Sequence, residues 1–142
     1  KLMAEDRDIQ FVVNKSEEST KRYKNLIQAK VTSKNETLDV AGTLSRSRNP
    51  LLVEINGLET ECELDGNVIM LENIDRPRMI GPVAIVLGDA GINIATMKVA
   101  RNEPGKQAIM LINVDEVVNE ATLADLAKID GVIGTPKLMQ FN

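Results

Sequence analysis

Asn73 and Asp75 stand just ahead of a run that reads as an amphipathic helix, within NVIMLENIDRPRMIGPVAIVLGDAGINIATM over residues 67–97. An apolar run suited to a buried strand, residues 68–71, leads into the polar loop that carries them. Pro77 belongs at a helix entry, and Pro82 is tolerable only in the first turn, where its missing N–H would be unpaired anyway. The helix is therefore predicted to begin near Arg78 or Met79. Met79, Ile80, Val83, Ala84, Val86, Leu87 and Ala90 follow the spacing of one apolar face, and Gly91 supplies a stop. First-turn N–H groups lack intrahelical partners, so this helix start points back at Asn73 and Asp75 and suits a small anion or carboxylate. The plainer role for both residues is helix capping, for which Asx side chains are well suited.

Much other chemistry is excluded. The 142 residues contain no His, which removes the usual general base and the usual transition-metal ligand, and Cys62 is alone. No pair of acids is set in an apolar frame, so no catalytic residue and no metal ligand is assigned. A net charge of -4 and 2% aromatics argue against nucleic acid, which needs clustered basic surface and rings for stacking. No apolar stretch approaches the ~20 residues of a membrane helix, and KLMAEDRDIQ lacks the form of a signal peptide. The start, charged and without Met, reads as a domain cut from a longer chain. A lone Cys fits a reducing, cytoplasmic compartment.

The elements that position the polar pair come from alternation and turn residues. A short helix over residues 1–8 and a strand over 9–13 precede a charged stretch, where Ser16 suits a helix cap and Tyr23 and Leu26 suit inward anchors. From Leu26 the pattern has period two, with Ile27, Ala29 and Val31 opposite Gln28, Lys30 and Thr32, which predicts a half-buried strand. Lys34 and Asn35 turn the chain into a second strand over residues 37–44, with Gly42 at a bulge or close approach. After the basic turn SRSRNP come strands over 51–55 and 58–64, joined by the hairpin dipeptide Asn56-Gly57. Beyond Gly91, strands over 92–100 and 107–114 flank the turn NEPGK. Asn119 caps a helix carrying Leu123, Leu126, Ala127 and Ile129, which Gly131 closes, and a strand follows over 132–139. The second half thus reads β-α-β-β-α-β, with two helices on one sheet face. Its other face or an edge strand would stay open, so a homodimer is expected.

The runs IDRPRMIG, LGDAGINIATMKVAR, QAIMLINVD and IDGVIG resemble an ACT domain, the ligand-sensing module of amino-acid metabolism. KSEESTKRYKNLI, VAGTL and LLVEINGLETE resemble the intervening, allosteric-substrate-binding domain of the longer D-3-phosphoglycerate dehydrogenases. Together they resemble that family's C-terminal regulatory region almost end to end. The fold class implied is α+β, a small, mainly antiparallel β domain over residues 1–66 followed by a ferredoxin-like βαββαβ ACT domain over 67–142.

The resemblance implies no enzyme activity and no cofactor in this fragment, with NAD and the upstream catalytic domains belonging to the parent enzyme. It implies a homodimer or homotetramer through ACT domains that pair side by side, with L-serine or another small amino acid bound at their interface. By position, Asn73, Asp75 and Asn93 fall where the family's serine contacts fall. An acid and amide oxygens suit an ammonium, while helix N–H groups and an Asn amide suit a carboxylate. The family's loop is usually DRPG, and here Arg78 stands at the Gly. If that Gly serves positive φ, Arg78 is strained and its side chain is expected to cover the pocket.

Lys30, Arg46 and Arg48 suit either an anionic effector site at adjoining strand ends or plain solvated surface. Met70, Met79, Met97, Met110 and Met139 read as core, and Cys62 as a packed residue. Two other classes fit the same residues: the β-chain regulatory part of an iron–sulfur L-serine dehydratase, and a purely structural dimerisation module.

Overall fold

The computed structural model describes residues 23, 25–33 and 37–141. The expectations for the helix over 1–8, the strand over 9–13, the cap at Ser16 and the turn at Lys34 and Asn35 fall outside the described residues.

Four strands, β1 (Ile27–Thr32), β2 (Thr37–Leu44), β3 (Pro50–Ile55) and β4 (Leu58–Glu63), form an antiparallel sheet in sequence order. The register slips between Ala41 and Gly42, where a Cβ on Gly42 would lie 3.3 Å from the Leu51 carbonyl. The bulge and the close approach both occur there. Asn56 and Gly57 have φ of 50° and 77°, the paired left-handed conformations of a tight hairpin turn.

The second sheet contains β5 (Gly66–Ile74), β6 (Ile94–Arg101), β7 (Gln107–Val114) and β8 (Val132–Phe141) in the order β6-β7-β5-β8, all antiparallel. Helices α1 (Ile80–Asp89) and α2 (Glu120–Ala127) complete a ferredoxin-like βαββαβ arrangement. β5 and β7 are the inner strands and read as near-continuous apolar runs because both of their faces are buried. Pro136 sits on the edge strand β8 where the register against Met70 and Glu72 breaks, a place where a missing N–H removes no ladder bond.

Each face of that sheet has its own core. On one side Ile69, Leu71, Met110 and Ile112 meet Val83 and Leu87 of α1 and Leu126 of α2. On the other Val68, Met70, Ile109 and Leu111 meet Leu52, Ile55 and Cys62 of the first sheet. Fully burying an aliphatic side chain stabilises by about 1.5–3 kcal/mol, so both cores hold the sheet. The expected open face of the second unit is therefore corrected: the first sheet covers it. Polar groups tie this contact, with Asn113 Nδ2 donating to the Glu63 carbonyl (2.9 Å) and Thr96 Oγ1 donating to Asn113 Oδ1 (2.9 Å). The other expectation, an open edge, is met among the described residues: the edge strands β6 and β8 each pair on one side only.

Two further expectations change. β1 is exposed at all six positions rather than half-buried, because it lies at the far edge of the first sheet, three strands from the β4 that meets β6. On α1, Ile80 and Ala90 are exposed, and the helix is anchored by Met79, Val83 and Leu87. Of the methionines, Met70, Met79 and Met110 are buried, and Met97 and Met139 pack against the two cores.

Candidate functional site

β5 ends at Ile74, and the five residues before α1 must reverse the chain over the end of the sheet. Ile74 N–H donates to the Gly131 carbonyl (2.8 Å) and Asp75 N–H donates to the Lys106 carbonyl (2.7 Å), while Gly105 N–H donates to the Asp75 carbonyl (3.0 Å). The loop is thereby sewn to the turn after α2 and to the β6–β7 turn.

Its side chains reinforce this. Arg76 donates to the Asp130 carbonyl (2.8 Å) and pairs with the Asp130 carboxylate. Gly131, at φ 99°, leaves no room for more: a Cβ would lie 2.8 Å from Met79 Sδ and 3.1 Å from Arg76 Nη2. Asp75 Oδ2 accepts from Arg101 Nη1 (2.9 Å), which reaches in from the end of β6. Arg78 has φ 70°. That left-handed conformation costs a non-glycine residue about 1–2 kcal/mol, so the strain expected from replacing the loop glycine is present.

Asn73 is 1% exposed. Its Nδ2 donates to the Ile74 carbonyl (2.8 Å), but its buried Oδ1 has no partner. An unpaired buried acceptor costs about 1–3 kcal/mol, and a donor entering the site would recover that. Asn73, Asp75 and Arg78 line one cavity of about 190 Å³, together with the first-turn residues Ile80 and Gly81. Its apolar floor is Val99 and Met110. No side chain caps α1, so the capping role weighed for Asn73 and Asp75 is corrected: one bonds locally and the other is held by Arg101. The arrangement can hold a molecule of a few heavy atoms that carries both a donor and an anionic group.

The structure does not bring Asn93 to this cavity. It precedes β6 at the opposite end of the sheet, on the order of 20 Å from the Arg101 end by strand rise. There its N–H donates to Glu116 Oε2 (2.7 Å) and its Nδ2 to Asp115 Oδ2 (2.6 Å). The basic trio also separates. Lys30 lies opposite Asp39, whereas Arg46 and Arg48 occupy the turn beyond Leu44, on the order of 15 Å further along β2. Strand direction places them at different ends, so they form no common anion site. Cys62 is buried, and burial pushes its thiol above the ordinary value, which suits a packed residue.

Arg76 and Arg101 escaped sequence reasoning. Each is one more Arg in a charged chain, and only the register that sets Arg101 beside the end of β5 gives it a partner. Among the described residues no helix is long and apolar enough to cross a membrane, and no group of three or more His, Cys, Asp or Glu side chains could hold a metal ion.

A family model described as the D-3-phosphoglycerate dehydrogenase intervening domain matches residues 1–56, and one described as the ACT domain matches residues 67–131. D-3-phosphoglycerate dehydrogenase of Methanocaldococcus jannaschii is 34% identical over 131 residues, covering 92% of this chain and 24% of that protein. The Bacillus subtilis enzyme of the same name is 33% identical over 131 residues, covering 92% of this chain and 25% of that protein. A probable L-serine dehydratase beta chain of Bacillus subtilis is 28% identical over 131 residues, covering 92% of this chain and 58% of that protein. The chain spans about a quarter of the length of the two dehydrogenases.

Proposed function

The chain belongs to the D-3-phosphoglycerate dehydrogenase family, carrying its intervening domain followed by an ACT domain, and from that premise we propose that it is a non-catalytic regulatory region that binds L-serine between paired ACT domains. The two units divide at residues 1–66 and 67–142. The observation that carries the reading is Asn73, buried with its Oδ1 unpartnered, lining a small cavity at an uncapped helix start. An amino acid's ammonium supplies the missing donor, and its carboxylate suits the helix end.

Asn93 joins this site from a second copy. If β6 pairs antiparallel with β6 of a partner about a two-fold axis, the start of one strand lies beside the end of the other. Asn93 of one protomer then approaches the Asp75–Arg101 end of its partner. Within one chain the three polar residues cannot meet, so the site is complete only in the dimer. Serine binding at such a junction favours one arrangement of the assembled enzyme over another, which is how end-product feedback would act.

Catalysis and NAD are assigned to the rest of a longer, cytoplasmic enzyme. The chain has no Gly-x-Gly-x-x-Gly run of the kind that cradles a dinucleotide's pyrophosphate. Titration calorimetry with L-serine, with melting temperature as a second readout, is the test. Binding heat and a raised melting temperature are expected, with affinity lost in both Asn73→Ala and Asn93→Ala. No heat and no shift at millimolar serine would reject serine sensing.

A second reading is favoured by the dehydratase match, in which the same two units serve as a regulatory part of an iron–sulfur L-serine dehydratase. With a single Cys this chain supplies no ligand set for a cluster, so the cluster would belong to another chain. Sequence flanking this region separates the two: a dinucleotide fingerprint supports the dehydrogenase. In a purely structural dimerisation module, subunit assembly would proceed and amino acids would give no heat.

A further inference from the structure

The charges around the cavity do not balance. Asp75 is taken by Arg101, and Arg76 by Asp130. Among the described residues Arg78 has no ion-pair partner, yet it lines the cavity in a left-handed backbone conformation at the entry of α1. Beside it the first turn of α1 has neither a side-chain cap nor an acidic residue, so its N–H groups add to the same positive potential. A strained residue at a ligand cavity points to a function that keeps it there.

Resting on the amino-acid reading of this site, we propose that Arg78 is its specificity-determining anion clamp, gripping the ligand carboxylate together with the N–H groups of Ile80 and Gly81. It does not act as a cover. The opposite pole is Asn73, which lines the same cavity and carries a buried Oδ1 without a partner. An acceptor that lacks a donor and a guanidinium that lacks an ion-pair partner, on two residues that line one small cavity, match the two ends of a zwitterion. A planar guanidinium binds a carboxylate through two parallel hydrogen bonds, which a glycine cannot supply.

The experiment compares wild type with Arg78→Gly and Arg78→Lys in the full chain, titrating L-serine and, separately, inorganic phosphate. Glycine should weaken serine binding by about ten- to a hundredfold, the size of a lost charged hydrogen bond, and lysine should restore part of it. Because glycine also relieves the left-handed strain, the same variant should melt higher, by on the order of 3 °C. Weaker binding in a more stable protein is a pairing that a merely structural arginine does not give. Unchanged or tighter serine binding by Arg78→Gly would overturn the clamp, tighter binding being what a cover predicts. If wild type takes up phosphate in an Arg78-dependent way but no serine, the clamp stands and the serine reading falls. If it takes up neither, both fall.

Discussion

The two helices on the second sheet begin in opposite ways. α2 is closed by its own sequence: Asn119 Oδ1 accepts from Thr122 N–H (2.9 Å) and Glu120 adds negative charge to the first turn. α1 begins at Met79 with no side-chain cap, no acid in its first turn and a cavity in front of it. A helix that gives up its cap needs another source of stability, and α1 has one in Met79, Val83 and Leu87, all buried against β5 and β7. Packing leaves its positive end free, whereas the cap on α2 uses the same donors for folding. The difference separates a helix end closed by its own side chain from an uncapped one beside a cavity, which is where the proposed ligand site lies.

The largest test of that contrast is Leu87→Ala, which removes a fully buried side chain from α1 and should cost about 3 kcal/mol in urea unfolding. A loss under about 1 kcal/mol would mean that burial is not what holds the uncapped helix. Next comes Asn119→Ala, expected to cost about 1 kcal/mol while leaving ligand affinity at the α1 end unchanged. If amino-acid binding fell with it, the two helix ends would not be independent. The smallest stability effect is expected from Arg101→Ala. Its pair with Asp75 is half open to water on the arginine side, so the loss should stay below about 1 kcal/mol. Its effect should appear in serine titration instead, because Asp75 is released into the cavity. Identical binding curves for Arg101→Ala and wild type would show that Asp75 does not face the ligand.

Much of this was legible in the residues. Alternation and turn chemistry located the strands, Asn56-Gly57 and Gly42 marked a hairpin and a bulge, and Asn119 marked a cap. Strand edges were off by one or two positions, as where Ile92 packs in the core and β6 starts at Ile94. Asn73 and Asp75 drew attention as Asx residues ahead of a Pro-marked helix entry, where capping was the plainer role, and the family resemblance added the ligand reading. Their partners were not found. Arg101 lies 26 residues from Asp75, and Arg76 meets Asp130 across 54. Such contacts follow from register and loop closure, which no local pattern encodes.

The sequence by itself determined the order of the strands and helices from Ile27 onward and the tight hairpin at Asn56-Gly57, since these depend on periodicity and on φ preferences that each residue carries with it, whereas the strain at Arg78 was legible only through the family resemblance. Only the tertiary structure decided what covers what. It placed the first sheet over the apolar face expected to be open, and it sent Asn93 to the far end of β6. It also left Asn73 Oδ1 without a donor. Burial and pairing are set by which surfaces meet, and a one-dimensional pattern fixes the faces of a strand but not the faces brought against them.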